Sequence, residues 1–250
     1  MGYNTCTEFD VSSSEARYSM LSIPFTAVDG KNLSLNDLVF ASPTKNNTKA
    51  RADQIKLWVW FEEKNTYDYE TWFIKTDGKW YNYNTPTLGF DDPAGHPDGL
   101  PPGTTFWYYS QKRAGVGSLT SSGAVLDENF VFTVVRAEPT YSFIGYPFPT
   151  ALKLNDTTQV DWGAAVANNT KARADQIKLW VMQESGKYDY VTYYLSSSGW
   201  KAYNSPSNLF EVDFPHGLPV GTGFWYYAQK KSGSTEFDVT FKSPIAKSAE

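Results

Sequence analysis

Two groups of side chains in this 250-residue chain could do chemistry, and the first combines carboxylates with the only two histidines. They lie in two stretches rich in proline and glycine, each near a Gly-Leu-Pro triplet. Carboxylate oxygens with one imidazole could hold calcium, or zinc if the geometry allowed. Because the ligand spacing differs between the two stretches, solvated turns are favoured and a metal site is the alternative. The residues are Asp91, Asp92 and His96 in the first stretch, and Asp213 and His216 in the second.

The second group is aromatic. Exposed Trp and Tyr beside polar side chains can stack on the C–H faces of sugar rings while the polar groups bind the hydroxyls. Packing in the core or between domains is the favoured alternative, because Trp is highly buried on average. The candidate platform comprises Trp58, Trp60, Trp72, Trp80, Trp107 and Tyr109, with Trp180, Trp200, Trp225 and Tyr227 in the second half of the chain.

These residues recur because most of the chain consists of two similar copies of one sequence. The segment NNTKARADQIKLWV occurs at 46–59 and returns unchanged at 168–181. GLPPGTTFWYYSQK at 99–112 returns as GLPVGTGFWYYAQK at 217–230. Such self-similarity indicates the tandem duplication of a domain. We predict a first domain over 1–136, which includes an N-terminal edge strand, and a homologous second domain over 137–250.

Strand patterns dominate both copies. Between 55 and 61, aliphatic residues alternate with Lys56, Trp58 and Trp60, which predicts one aliphatic face and one tryptophan face. Polar turns and further aromatic segments follow, so each copy should form a three-stranded meander. The FWYY segments are apolar on both faces, which predicts burial on both sides, by a second sheet or by a neighbouring molecule. The expected fold is all-β, with two tandem antiparallel sandwich or barrel-like domains.

A pentapeptide near both ends of the chain suggests self-association. TEFDV occurs at 7–11 and at 235–239, and FVFTV at 130–134 occupies the matching place between the domains. Three boundary strands for two domains would leave one surplus strand, which should lie at a sheet edge and recruit a partner. Head-to-tail contacts of this kind build open filaments when the rotation does not close a ring. The expected assembly strands contain Thr7, Phe9, Val11, Thr235, Phe237 and Val239.

The repeated KARADQIKLW block has two interpretations. A recent duplication would explain its identity, but the flanking segments have diverged, which favours a shared packing or contact role. In an assembly, its charged residues would form a polar rim around aromatic anchors. These residues are Lys49, Arg51, Asp53, Lys171, Arg173 and Asp175.

Composition excludes several classes of function. The net charge is −5 and the pI is about 5.2, with basic residues spread among acidic ones, so nucleic-acid binding is not expected. Cys6 is the only cysteine, which excludes an intrachain disulfide. No apolar run approaches the roughly 18 residues of a membrane helix. Motifs of nucleophilic, zinc-dependent or phosphate-binding catalysis do not occur, so we do not expect an enzyme.

The order YSMLSIPF, ADQIKLW, aromatic hairpin and GLPPGTTFWYYSQ resembles repeat modules in exported bacterial proteins of unknown role. That resemblance implies export and a surface or fibre setting, and it supplies no catalytic residue. We therefore expect an extracellular structural protein that assembles head-to-tail into a filament or surface array. The alternative is a tandem carbohydrate-binding module that uses exposed Trp and Tyr faces. No cofactor is expected in either case, with calcium as the exception noted above.

Overall fold

The computed structural model describes residues 2–245, and the chain divides into two compact units between Val125 and Leu126. The expected boundary at 136/137 is therefore too late. The segment Phe130–Val135 belongs to the second unit, because it pairs with the strand Glu236–Phe241. Within residues 2–245, no helix is long and apolar enough to cross a membrane.

The first unit consists of two antiparallel sheets. Its strands are β1 (Tyr3–Asp10), β2 (Arg17–Ser22), β3 (Val39–Phe40), β4 (Gln54–Phe61), β5 (Thr66–Ile74), β6 (Trp80–Asn82), β7 (Thr105–Ser110) and β8 (Val116–Gly123). The three-stranded sheet has the order β1-β8-β3, and the five-stranded sheet has the order β2-β7-β4-β5-β6. Short 3₁₀ helices lie at Leu35–Asp37, Lys49–Arg51 and Glu62–Lys64.

The second unit repeats this arrangement. Its strands are β9 (Phe130–Val135), β10 (Thr140–Gly145), β11 (Val160–Asp161), β12 (Gln176–Met182), β13 (Tyr188–Ser196), β14 (Gly199–Ala202), β15 (Gly223–Ala228) and β16 (Glu236–Phe241). The sheet orders are β11-β16-β9 and β10-β15-β12-β13-β14. A 3₁₀ helix lies at Lys171–Arg173 and a short helix, α1, at Phe210–Asp213.

Each unit packs its two sheets face to face. In the first unit, Phe9 and Leu119 of the small sheet share one buried cluster with Leu57 and Phe106 of the large sheet. In the second unit, Phe237 of β16 contacts Tyr226 of β15, with ring centroids 6.2 Å apart. Across the described residues no sheet closes into a barrel. The all-β prediction is confirmed, with a sandwich-like architecture.

The surplus strand does not exist, because each unit contains two boundary strands. β1 pairs with β8 and β9 pairs with β16, so four strands serve two units. The sequence does not predict β8, because VGSLTSSG is rich in glycine and serine and therefore has a weak strand propensity. Phe9 covers Gly117 directly opposite, where an added Cβ would lie 2.1 Å from the Phe9 ring.

The two TEFDV segments therefore occupy different places. The first lies on β1, at the edge of its sheet, whereas the second lies on β16, between β9 and β11. Phe237 and Val239 are buried at 7% and 0% exposure, so 235–239 is an internal strand and not an assembly strand. Thr7 and Phe9 remain on an edge strand, and Val11 follows its end.

A buried carboxylate ties the repeated block to the rest of each unit. In the first unit, Asp53 Oδ2 accepts hydrogen bonds from the Thr44 amide at 3.0 Å and from the Tyr108 hydroxyl. It also accepts from Arg113 Nη1 at 2.6 Å, and Oδ1 accepts from the Gln111 amide at 2.7 Å. The carboxylate thereby joins the start of β4 to the end of β7.

Asp175 repeats this role through three hydrogen bonds, with the charge of Arg136 nearby. It accepts from the Val166 amide at 3.0 Å, and from the Tyr226 hydroxyl and the Gln229 amide at 2.7 Å each. The cation near Asp175 is Arg136, which is fully buried and follows β9. The cation that pairs with Asp53 is Arg113, which follows β7. Burial raises the pKa of Asp175, although the hydrogen bonds and the charge of Arg136 oppose that shift.

We predict that Asp53→Ala destabilises the first unit by about 3–5 kcal/mol, because Arg113 and the Tyr108 hydroxyl lose a buried acceptor. The exposed Arg51→Ala is the matched control within the same block and should change stability by about 0.5 kcal/mol or less. Urea denaturation of the full chain, followed by intrinsic fluorescence, measures both. Equal midpoints for the two variants would refute the role given to Asp53.

Candidate binding surface

The outward face of the five-stranded sheet is aromatic in both units. In β4, Ile55 and Leu57 point into the core, so Trp58 and Trp60 point outward. The hairpin register places Tyr69 opposite Trp58 and Tyr67 opposite Trp60. Four aromatic residues thus meet at the end of one hairpin. We call Trp58, Trp60, Tyr67 and Tyr69 the first aromatic hairpin.

The rings of the first aromatic hairpin contact one another and stay open to solvent. Trp58 stacks nearly parallel to Tyr67, with centroids 6.0 Å apart, and meets Tyr69 edge-on at 4.8 Å. Trp60 meets Tyr67 edge-on at 5.1 Å. Trp60 is 46% exposed, Tyr67 41% and Tyr69 36%. The four rings thus form one apolar surface that solvent reaches.

The second unit reproduces the surface with one change. Trp180 stacks on Tyr188 at 5.9 Å and meets Tyr190 edge-on at 4.9 Å, within 0.1 Å of the first unit. Met182 stands in the place of Trp60, and it is 37% exposed. We call Trp180, Met182, Tyr188 and Tyr190 the second aromatic hairpin.

A lysine of the hairpin and a tyrosine two strands away in the same sheet border each aromatic cluster. Lys56 Nζ donates to the Tyr18 hydroxyl at 2.9 Å, and Lys178 Nζ donates to the Tyr141 hydroxyl at 2.6 Å. Each ammonium also lies over the face of its tyrosine ring, about 5 Å from the centroid. The surface therefore combines flat rings with one polar cluster.

Tyr69 connects the first aromatic hairpin to the centre of the sheet. Trp107 Nε1 donates to the Tyr69 hydroxyl at 3.1 Å. Burial raises the pKa of Tyr69, and the bond from Trp107 partly opposes that shift. The Tyr69 ring is therefore fixed at both ends, by Trp58 and by the indole of Trp107.

The predicted aromatic platform separates into three classes. Trp72, Trp80 and Trp200 are core residues, exposed by 1% or less. Trp107 and Trp225 lie on the outward face but are covered, at 7% and 8% exposure, by aromatic neighbours of their own sheets. The partly or well exposed members are Trp58, Trp60, Tyr109, Trp180 and Tyr227.

The FWYY strands are internal to each unit. β7 lies between β2 and β4, and β15 lies between β10 and β12. The predicted burial on both faces is correct, and the second sheet and the neighbouring aromatic residues produce it. These strands therefore need no neighbouring molecule to cover them.

The predicted polar rim is wrong for its aspartates. Asp53 and Asp175 are fully buried, because they accept the hydrogen bonds described above. Lys49 donates to the Tyr83 carbonyl at 2.8 Å and lies over the Tyr83 ring, and Lys171 does the same with Tyr203. In the block as a whole, the arginines are the exposed cations, Arg51 and Arg173.

The acidic and histidine residues are not brought together as metal ligands. Within residues 2–245 no three His, Cys, Asp or Glu groups lie close enough to hold a metal ion. Asp91 accepts hydrogen bonds from the side chains of Ser34 and Asn36, and Asp92 accepts one from the Gly89 amide at 2.6 Å. The Asp92 bond organises its own loop, whereas the Asp91 bonds tie that loop to the 3₁₀ helix at Leu35–Asp37.

The two histidines have different environments. His96 pairs with Glu70 at 2.6 Å and stacks on Phe90, whereas His216 is exposed. In the second unit Asp213 instead accepts from Tyr193 at 2.7 Å, and burial raises the pKa of that tyrosine.

The sequence-based set missed the partners of the exposed tryptophans. These are the tyrosines on the opposite strand and the lysine–tyrosine pairs beside them. The tyrosines could have been predicted by pairing the two strands on either side of the turn at 62–65, because that register places Tyr67 and Tyr69 opposite Trp60 and Trp58. The missed residues are Tyr18, Lys56, Tyr67 and Tyr69, with Tyr141, Lys178, Tyr188 and Tyr190.

No family model, curated protein or solved structure matches this chain. Function is therefore inferred from the geometry of its own residues.

Proposed function

We propose that this chain is a non-enzymatic tandem binding protein whose two aromatic hairpins take polysaccharide. One observation supports this most strongly. Both units hold the same tryptophan in the same stacked and edge-on contacts and keep the cluster open to solvent. On soluble proteins, contiguous exposed apolar patches bordered by polar residues commonly mark sites where a ligand or partner binds.

The chemistry of the aromatic hairpins suits a sugar chain. Flat rings offer stacking surfaces to the C–H faces of pyranose rings, and the neighbouring lysine and tyrosine groups can bind hydroxyls. Hairpins within rigid sheets need little reordering on binding, which lowers the entropic cost. Two surfaces on one chain raise avidity when one polymer engages both. Such a protein would act outside the cell, where polysaccharide is presented.

Affinity electrophoresis through gels that contain soluble neutral or acidic polysaccharides tests this function. The intact chain should be retarded by at least one polymer. Trp60→Ala and Tyr190→Ala should each weaken binding by roughly 2- to 10-fold, since a stacking contact contributes about 0.5–1.5 kcal/mol. The double variant should lose the retardation.

Tyr3→Ala is the matched control for these variants. Tyr3 is 40% exposed, similar to Tyr190 at 41%, but it lies on β1 in the three-stranded sheet. Its removal should leave retardation unchanged. An intact chain that no polymer retards would contradict the proposed function, and so would equal losses for the control and the hairpin variants.

A second candidate function is self-association into an extracellular filament or array. The supporting observation is now β9, an edge strand of sequence FVFTVV with no charge, proline or glycine. Native proteins normally protect an exposed edge strand with a charged side chain or a proline, because an unprotected edge can pair with another chain. Val131 and Val135 on this strand are 51% and 44% exposed.

Val135→Lys should suppress self-association, because an edge lysine disfavours strand addition. Light scattering over a concentration series should show association of the intact chain, with its midpoint raised about tenfold or more in the variant, which corresponds to about 1.4 kcal/mol. Val39→Lys is the control, since Val39 is a 62% exposed valine on the edge strand β3. An intact chain that stays monomeric would exclude this second function.

A further inference from the structure

The free side of β9 can be assigned residue by residue. The Arg136 amide donates to the Thr235 carbonyl, in line with the β9–β16 register. Because antiparallel hydrogen bonding alternates along a strand, Val134 and Phe132 direct their backbone groups at β16. Val131, Thr133 and Val135 therefore direct theirs at the free edge. Among residues 2–245, β9 pairs with β16 alone.

β1, the edge strand of the first unit, alternates in the same way. The Ala41 amide donates to Ser118, so Ser118 directs its backbone groups at β3 and its neighbours Gly117 and Leu119 direct theirs at β1. Their partners on β1 are Phe9 and Thr7. Asn4, Cys6 and Glu8 consequently direct their backbone groups at the free edge of β1. Their side chains lie on the exposed face.

β9 already pairs with a strand of the β1 sequence. TEFDV in β16 places Phe237 opposite Val134, and Thr133 donates to Asp238 at 2.8 Å. The same five residues occur at 7–11. A second TEFDV strand on the other side of β9 would place Phe9 opposite Val134 on the inward face. Glu8 would then lie opposite Val135, and both residues direct their backbone groups at that edge.

We propose that β1 of a second copy pairs antiparallel with the free edge of β9 and extends the three-stranded sheet from one molecule into the next. This assignment rests on the second proposed function, self-association. Pairing of β1 with a second β1 is disfavoured, because Glu8 and Asp10 of both strands would crowd four carboxylates onto one face. β9 offers uncharged Val131, Thr133 and Val135 on that face.

The contact is heterologous, because two different edges meet. Each molecule keeps one β1 and one β9 available, so the contact repeats along a line unless the rotation closes a ring. Association would thus add molecules at both ends. Phe9 stays in its own core, so no strand has to leave its sheet.

Engineered cysteines test the register on the full chain. In a Cys6→Ser background, Glu8→Cys combined with Val135→Cys should give a ladder of covalent multimers on mild oxidation, because directly opposite Cα atoms lie about 5.5 Å apart. The matched control combines Glu8→Cys with Asp161→Cys, on the opposite edge strand β11. It should give no ladder.

The outcomes separate the pairing from self-association itself. Scattering that shows association, together with no ladder from the Glu8/Val135 pair, would overturn the β1–β9 pairing and leave self-association standing. Covalent dimers from Val135→Cys alone would show β9–β9 pairing and would also overturn it. An intact chain that never associates removes both proposals at once.

Discussion

In each unit a fully buried aspartate joins parts of the chain that the sequence separates. Asp53 holds Thr44, Tyr108 and Gln111 around one carboxylate, and Asp175 holds Val166, Tyr226 and Gln229. A buried charge of this kind is tolerated only when its hydrogen bonds are complete. In both copies the aspartate of the ADQIKLW block stands immediately before the central strand, which begins at Gln54 and at Gln176.

The register of β4 and β12 determines which side chains lie on the outward face of each five-stranded sheet. Once Asp53 and Asp175 fix the start of β4 and β12, the period of two sends aliphatic residues inward and tryptophans outward. The hairpin partners add tyrosines to the same face. The equivalent registers of the two hairpins bring the same rings together, and the ring contacts of the two copies agree within 0.1 Å.

Short-range sequence patterns correctly predicted part of the fold. The duplication, the meander strands and the all-β class are legible in the sequence because alternation and turn residues are short-range features. The pairing of β8 is not, since VGSLTSSG has weak strand propensity and is held by Phe9 across the sheet. Burial of Asp53 was also hidden, because a charged residue in a polar block predicts exposure until its distant partners, Tyr108 and Arg113, are known.

The proposed binding function depends on the separation of exposed from buried tryptophans, and the indole N–H signals of the nine tryptophans report that separation directly. In a ¹H–¹⁵N NMR titration with a polysaccharide that retards the protein, binding at the aromatic hairpins should shift the indole signals of Trp58, Trp60 and Trp180. The core indoles of Trp72, Trp80 and Trp200 should keep their positions. Shifts confined to those core indoles, or none at saturation, would contradict binding at the aromatic hairpins.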